Sequence, residues 1–439
     1  MNKNSEIFTK DRRINLKVLK SFVLIFALVL NSLVFGISTV GAETEDLTRD
    51  ITAKEIVKVP YLPQRFITAT QDFSFDLFRQ SVDLEKNSLV SPTSVALAMG
   101  MTSNGSDGRT LEQFLQLLGK SQFSQKQINY YYYNMSSILQ NEFSDSVNGN
   151  AVKLANSIWY RDDLRVKRDF LQTNADYYKA DIFKADFYSP DTVKDINNWV
   201  YKNTDGLIEE IIEEISGDSI MFLINTLLFE AEWKTQFNKY DAINGSFKLS
   251  NGTTAEGIFF NSAKETYLKN DIATGFIKPY KGGKYSFVAM LPNEKISIQE
   301  CIKNLDSKSF QSFINSGIGG KATGVCVPKF EYAFEAKLVE PLKQLGFVDA
   351  FDDSRANFSR MATPYEGIYI KDILHKTYIQ LSEVGTKAGA VTKVEMAEKA
   401  TPPVENRVTL DRPFVYAIVE NGTNLPIFIG TVMNPFEIK

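Results

Sequence analysis

The sequence predicts one large α+β domain built on several β-sheets, and three observations carry that prediction. Helical and strand patterns alternate along 439 residues with no Gly/Ser/Pro linker, repeat or low-complexity block between them, so length alone does not divide the chain. Ser219 to Trp233 is a near-continuous apolar run, the pattern of a strand covered on both faces in the middle of a sheet. The tail holds two more apolar strands, Phe414 to Val419 and Pro426 to Val432, joined by Asn421-Gly422-Thr423-Asn424, a hairpin-type turn.

Taken in order, the chain opens with Lys3, Lys10, Arg12, Arg13, Lys17 and Lys20, then an apolar run from Phe22 to Phe35, then Val40-Gly41-Ala42. Basic, apolar and small-residue regions in that order predict a signal peptide over 1–42, cleaved after Ala42, and a secreted, extracellular protein. The stretch is also long enough to span a bilayer as an uncleaved anchor; its small-residue ending selects removal. Removal leaves no membrane segment and moves the net charge from −4 to −8, which argues against nucleic acid or an anionic membrane surface as partner. A polar lead follows over 43–65, and the domain proper is expected over 66–439.

Ser91-Pro92-Thr93-Ser94 predicts a helix start, with Ser91 as cap and Pro92 at the first helical position. Thr110 to Leu118 reads as a short helix stopped by Gly119, and the tyrosine run 130–133 as helix packing with hydroxyls reaching solvent. Ala151 to Trp159 predicts a strand. Asp191 to Ile208 predicts a helix with Ile196, Trp199 and Val200 on one face, ending near Asp205-Gly206. Tyr285 to Leu291 and Thr323 to Phe330 read as strands, and Glu335 to Leu345 as an amphipathic helix.

Catalysis finds little support. His375 is the sole histidine and no G-x-S-x-G elbow occurs in the mature chain. Gly119-Lys120 and Gly320-Lys321 lack the earlier glycine of a phosphate loop, having Phe114 and Asn315 there. The pairs Glu209-Glu210 and Glu213-Glu214 read as a solvated helix face. Cys301 and Cys326 are the only cysteines, read as buried small hydrophobes or at most one bridge. No metal-ligand motif and no cofactor motif is present.

The unusual stretch is Glu383 to Ala400. From Thr386 every second residue is small or apolar (Thr386, Ala388, Ala390, Thr392, Val394, Met396), between Lys387, Lys393 and Glu395, the alternation of a half-buried strand. Yet Gly385, Gly389 and the alanines lack strand-stabilising bulk, so a loop is equally compatible. A segment that is exposed first and becomes a strand later satisfies both readings.

Several motifs then stand in one order: Asn87 with Ser91-Pro92-Thr93-Ser94; Ile196 to Val200 with Thr204-Asp205-Gly206; Leu223-Ile224-Asn225-Thr226 through Trp233 to Phe237; and Val327-Pro328-Lys329-Phe330. His375-Lys376, Gly385-Thr386, Arg412-Pro413-Phe414 and Phe428-Ile429-Gly430 through Asn434-Pro435 follow. In these the chain resembles the serpins over nearly its whole mature length. The resemblance implies a serpin-like single domain with three β-sheets, eight or nine helices and an exposed reactive loop over about 383–407. It implies an inhibitor of serine-type endopeptidases rather than an enzyme, monomeric, whose partner is a target serine protease held as a covalent acyl complex; a cysteine protease stays open as a target. The family's spacing from Glu383 puts the attacked bond between Lys399 and Ala400, or after Glu398 if shifted by one. Lys399 suits a trypsin-like protease, whose specificity pocket carries a carboxylate.

Once cut, the hinge (Glu383, Gly385, Thr386, Ala388, Ala390, Thr392) and the inserted strand with Val394 and Met396 would enter the main sheet, dragging the acyl-enzyme along. Thr386 to Met396, about eleven residues, span roughly 35 Å at about 3.3 Å per residue, enough for a full strand. The inward positions carry neither charge nor proline, which favours insertion. The chain departs from the family pattern at Gln380, Val384, Lys387, Gly389 and Val391. The alternative is a non-inhibitory serpin acting as a binding or storage protein; an enzyme using His375 is the third reading.

Overall fold

The structure is a computed structural model and describes residues 44–142, 152–364, 366–386 and 405–437. The proposed signal peptide, and all of 387–404, lie outside those residues. The framework begins at helix α1 (Gln64–Ser81), which buries Phe66, Ile67, Phe73, Leu77 and Phe78 along one face, the spacing an amphipathic helix gives. Strand β2 (Ser88–Val90) leads into α2 (Pro92–Ser103). The Ser91 hydroxyl caps α2 by accepting from Ser94 N–H, Pro92 opens it, and almost every residue is buried: a helix apolar on all sides belongs in a core.

Helix α3 (Gly108–Gly119) runs one residue past its expected stop, because Lys120 takes the left-handed conformation (φ 50°). Gly119 serves instead as a close approach, since a Cβ there would lie 2.9 Å from Ile128 Cδ1. In α4 (Gln125–Leu139) a Ser124/Gln127 capping box starts the helix. The tyrosine run packs on the helix as expected, with Tyr130 and Tyr131 half-buried, but two hydroxyls turn inward: Tyr132 is fully buried with its hydroxyl unpartnered, and Tyr133 donates to Ile56 O at 3.2 Å.

The chain continues through β3 (Val152–Arg161), β4 (Arg165–Val166), α5 (Arg168–Tyr178), β5 (Asp181–Ala185) and α6 (Pro190–Asn203). Helix α6 ends before the expected Ile208, where Asp205 and Gly206 turn to positive φ, and packs Ile196, Trp199 and Val200 on Trp159 and Ile224 of the underlying sheet. The polar lead is not loose. Its β1 (Glu45–Asp46) pairs with β5, Val59 N–H donates to Asn134 Oδ1 at 2.6 Å, and Lys58 meets Glu142 at 2.5 Å.

Strand β6 (Met221–Phe229) pairs antiparallel with β3, which pairs in parallel with β5, giving the order β1-β5-β3-β6. This corrects the expectation for Ser219 to Trp233. The run is interrupted at Glu230, continues as β7 (Ala231–Glu232), and among the described residues β6 is hydrogen-bonded on one edge only, with Leu223, Asn225 and Leu227 half-buried. The apolar composition suits a strand flanked on both sides; the described residues supply one of the two flanks.

A nine-stranded sheet forms the other wall. It comprises β2 with β8 (Ile243–Lys248), β9 (Thr254–Lys269), β10 (Ala273–Pro279), β11 (Tyr285–Pro292), β12 (Ile318–Pro328), β17 (Asn406–Thr409), β18 (Phe414–Glu420) and β19 (Leu425–Val432). Helices α7 (Ile298–Lys303) and α8 (Ser307–Asn315) lie between β11 and β12. The expected hairpin is present as β18–β19.

The third sheet has the order β13-β15-β16-β7, with β13 (Phe330–Lys337), β15 (Leu374–Leu381) and β16 (Gly385–Thr386). The expected helix from Glu335 is therefore corrected: Glu335 to Lys337 finish β13, where their alternation meets β15, and only α9 (Val339–Gln344) is helical. Ala362–Thr363 (β14) pairs with β4. Because β7 continues β6, the two four-stranded sheets are halves of one interrupted sheet; counted so, the described residues hold the three sheets and nine helices that the resemblance implies. Cys301 and Cys326 are each buried and free, so no bridge joins them. No helix among the described residues is long and apolar enough to cross a membrane.

Candidate functional site: a docked hinge above an open slot

The site is assembled at the end of β15. The chain reverses over 382–385, with Ser382 N–H donating to Gly385 O at 2.9 Å. It then runs back as β16, antiparallel to β15 on one side (Leu381 opposite Thr386) and to β7 on the other (Gly385 opposite Glu232, Thr386 opposite Ala231). Three donors fix the turn from the segment after β7. Trp233 N–H reaches Val384 O at 2.8 Å, Phe237 N–H reaches Glu383 O at 3.0 Å, and Trp233 Nε1–H reaches Ser382 O at 3.0 Å.

Sequence reasoning placed Glu383, Gly385 and Thr386 in the hinge, and all three belong to this docked turn. Glu383 and Val384 take part through their carbonyls, so the departure at Val384 leaves these contacts intact. Gly385 is required by space: a Cβ would overlap the Ala231 carbonyl oxygen and lie 2.8 Å from Glu232 Cα. Thr386 is 3% exposed, and its hydroxyl pairs with Tyr280 OH at 2.6 Å. Tyr280 lies flat on Trp233, ring centroids 4.4 Å apart, and burial pushes its phenol pKa upward. Ala388, Ala390, Thr392, Val394, Met396, Lys399 and Ala400 lie outside the described residues.

Beyond Thr386 the edges of β6 and β15 are not paired with each other, and a cavity of about 760 Å³ separates them. Its floor is α2, with Ser94, Val95 and Met99, and Ile208, Ile211 and Ile212 also line it. Two polar atoms of β6, Asn225 Oδ1 and Thr226 Oγ1, are buried without a partner. Such groups are costly to leave unmade.

His375 also lines this cavity and has a structural contact. It is fully buried, and its Nε2 accepts from Ser91 N–H at 3.0 Å, tying β15 to the start of α2. Burial lowers its pKa from 6.5 to about 4, so the ring is neutral when folded. Between those values the unfolded chain holds the extra proton, so stability is full above pH 6.5, falls as pH drops towards 4 and levels off below. The loss is about 3 kcal/mol, and His375→Asn is expected to flatten it, read from urea unfolding at pH 7 and pH 4.5.

Sequence reasoning missed Tyr280, Lys278 and the donor role of Trp233 and Phe237. The available signal was Lys278 itself, a lone charge inside Gly275-Phe276-Ile277-Lys278-Pro279-Tyr280. Glu209, Glu210, Glu213 and Glu214 are exposed as expected, but on an irregular segment rather than a helix. Among the described residues no group of three His, Cys, Asp or Glu is placed to hold a metal.

Fold and site together show a short strand, Gly385–Thr386, paired between β7 and β15 at the head of a cavity between β6 and β15. A family model described as Serpin (serine protease inhibitor) matches residues 68–435, and the chain belongs to the serpin family, whose members are typically protease inhibitors. It is 28% identical to human glia-derived nexin over 80% of this chain and 88% of that one. It is 26% identical to an uncharacterized serpin-like protein of Thermococcus kodakarensis, over 84% and 85%. Among solved structures it is similar to the thermophilic serpin tengpin. The native state overlays with TM-score 0.82 at 41% identity, covering 90% of this chain and all of that one. The latent state overlays with TM-score 0.75, covering 86% and 99%.

Proposed function

We propose that this chain is a secreted suicide inhibitor of trypsin-like serine proteases, attacked between Lys399 and Ala400. The observation that carries the reading is the docked pair Gly385–Thr386, already hydrogen-bonded as a strand between β7 and β15 at the head of the slot. On insertion in that register, Ala388 would pair beside Phe229, Ala390 beside Leu227, Thr392 beside Asn225, Val394 beside Leu223 and Met396 beside Met221, the first residue of β6. The inward set predicted from alternation thus falls opposite Leu223, Leu227 and Phe229, side chains that pack against the main core. Thr392 falls between Asn225, with its unpartnered oxygen, and His375.

While the loop is intact both ends are tethered, Thr386 in the slot and Asn406 in β17, which runs parallel to β12. Cleavage releases one end. The loop then zips downward, gains ladder bonds on both edges and fills the cavity. The protease, esterified to the Lys399 carbonyl, is displaced before its oxyanion site can serve deacylation.

Incubation with trypsin tests the reading. A complex that survives boiling in detergent, with cleavage after Lys399, is expected. Clean cleavage without a complex would favour a non-inhibitory binding or storage protein, and peptide turnover an enzyme.

A further inference from the structure

Strand β10, with Tyr280 just past its end, delivers more than that tyrosine to the hinge. Alternate residues of a strand share a face, so Lys278 and Tyr280 both lie beneath the 233–237 segment that receives the hinge. Lys278 is 2% exposed and makes an ion pair with Glu265, 4% exposed, at 2.7 Å. Its ammonium also donates to the Thr235 carbonyl at 2.9 Å and lies 4.1 Å from the Phe237 ring centroid and 5.4 Å from that of Trp233. Ser262 donates to the same Glu265 oxygen at 2.7 Å, which holds the carboxylate still.

One buried cation therefore touches Trp233, Thr235 and Phe237 from below, and the backbone N–H groups of the outer two hold Val384 and Glu383 from above. Stability alone does not call for a charge here, because a buried ion pair replaced by apolar groups of similar volume is often neutral or stabilising. What the pair supplies is direction. A carbonyl bonded to an ammonium and two rings seated on it fix the segment's height and tilt, where an apolar side chain would leave several packings open.

We propose that Lys278, anchored by Glu265, is a positioning residue that keeps the 233–237 segment in its hinge-accepting form and so sets how firmly Gly385–Thr386 is docked before cleavage. The consequence for inhibition rests on the loop-insertion reading above; the docking itself does not.

The test is amide hydrogen exchange on the full chain carrying Lys278→Met with Glu265→Leu. Exchange at the Trp233 and Phe237 amides is expected to accelerate at least tenfold, while the Asn225 amide in the β3–β6 ladder keeps its wild-type rate. Unchanged protection at both hinge-facing amides in the folded variant would overturn the proposal. If the double variant does not fold, Glu265→Gln, which removes the countercharge but keeps an acceptor, is read in the same way and decides by the same criterion. In parallel, the number of inhibitor molecules consumed per trypsin trapped is expected to change at least threefold. Failure of the wild-type protein to trap trypsin overturns the inhibitor reading and leaves the exchange result to decide the role of Lys278.

Discussion

Thr386→Arg is expected to turn the protein from an inhibitor into a substrate, consuming more than about ten molecules per protease trapped where the wild type consumes close to one. Thr386 has no room for a charge: it is 3% exposed, its hydroxyl is satisfied by Tyr280, and Leu381 and Ala231 flank it in the sheet. Burying an unpaired guanidinium there costs several kcal/mol, so the hinge is expelled and insertion must begin against that cost. At about tenfold in rate per 1.4 kcal/mol, even 3 kcal/mol slows entry by roughly two orders of magnitude, and deacylation wins the race. Thr386→Ser, which keeps the hydroxyl, is the control and is expected to inhibit normally. Undiminished trapping by the arginine variant would show that side chains at this parity do not enter the slot.

The second large effect is thermal. Cutting the loop with a protease that is then removed is expected to raise the melting temperature by about 20 °C or more. Among the described residues, nothing pairs with one edge of β6 or with the facing edge of β15 below Thr386, and a cavity lies between them. The cut loop satisfies both edges over the nine residues of β6 at ~1 kcal/mol per net hydrogen bond, and buries Val394 and Met396. A net gain on the order of 10 kcal/mol, at about 2 °C per kcal/mol for a large domain, gives the figure. Scanning calorimetry of intact and nicked protein reads it directly, and equal melting temperatures would end the insertion account.

How far the sequence disclosed these features follows from the range of the interactions involved. The start of α2 was legible because Ser91 and Pro92 act on their own helix within one turn. The tail hairpin was legible because its turn residues and both strands are contiguous. The hinge was legible at Thr386 through alternation and at Gly385 through a family motif, although the steric reason for that glycine lies in β7, more than 150 residues earlier. The slot was not legible. An apolar run like 221–229 does not say which neighbour pairs with each of its edges, so a central strand was expected where the described residues pair β6 on one edge. Glu335 to Leu345 misled for a related reason: the short alternation that ends β13 and the first turn of α9 together mimic one amphipathic helix. Lys278 stayed hidden because a buried lysine acquires meaning only from Glu265, Thr235 and Phe237, which pairing brings to it from elsewhere in the chain.

The weave on the downstream side of the loop determines what becomes of the severed piece. The stretch from Ala400 to Lys439 contains β17, β18 and β19; β18 is sandwiched between β11 and β19, and β19 between β18 and β2, every residue of both being buried. A peptide so interlaced does not diffuse away when its covalent link is lost. The nicked protein is therefore expected to elute from a sizing column as one particle and to separate into two bands only in denaturant, the smaller being this C-terminal remnant.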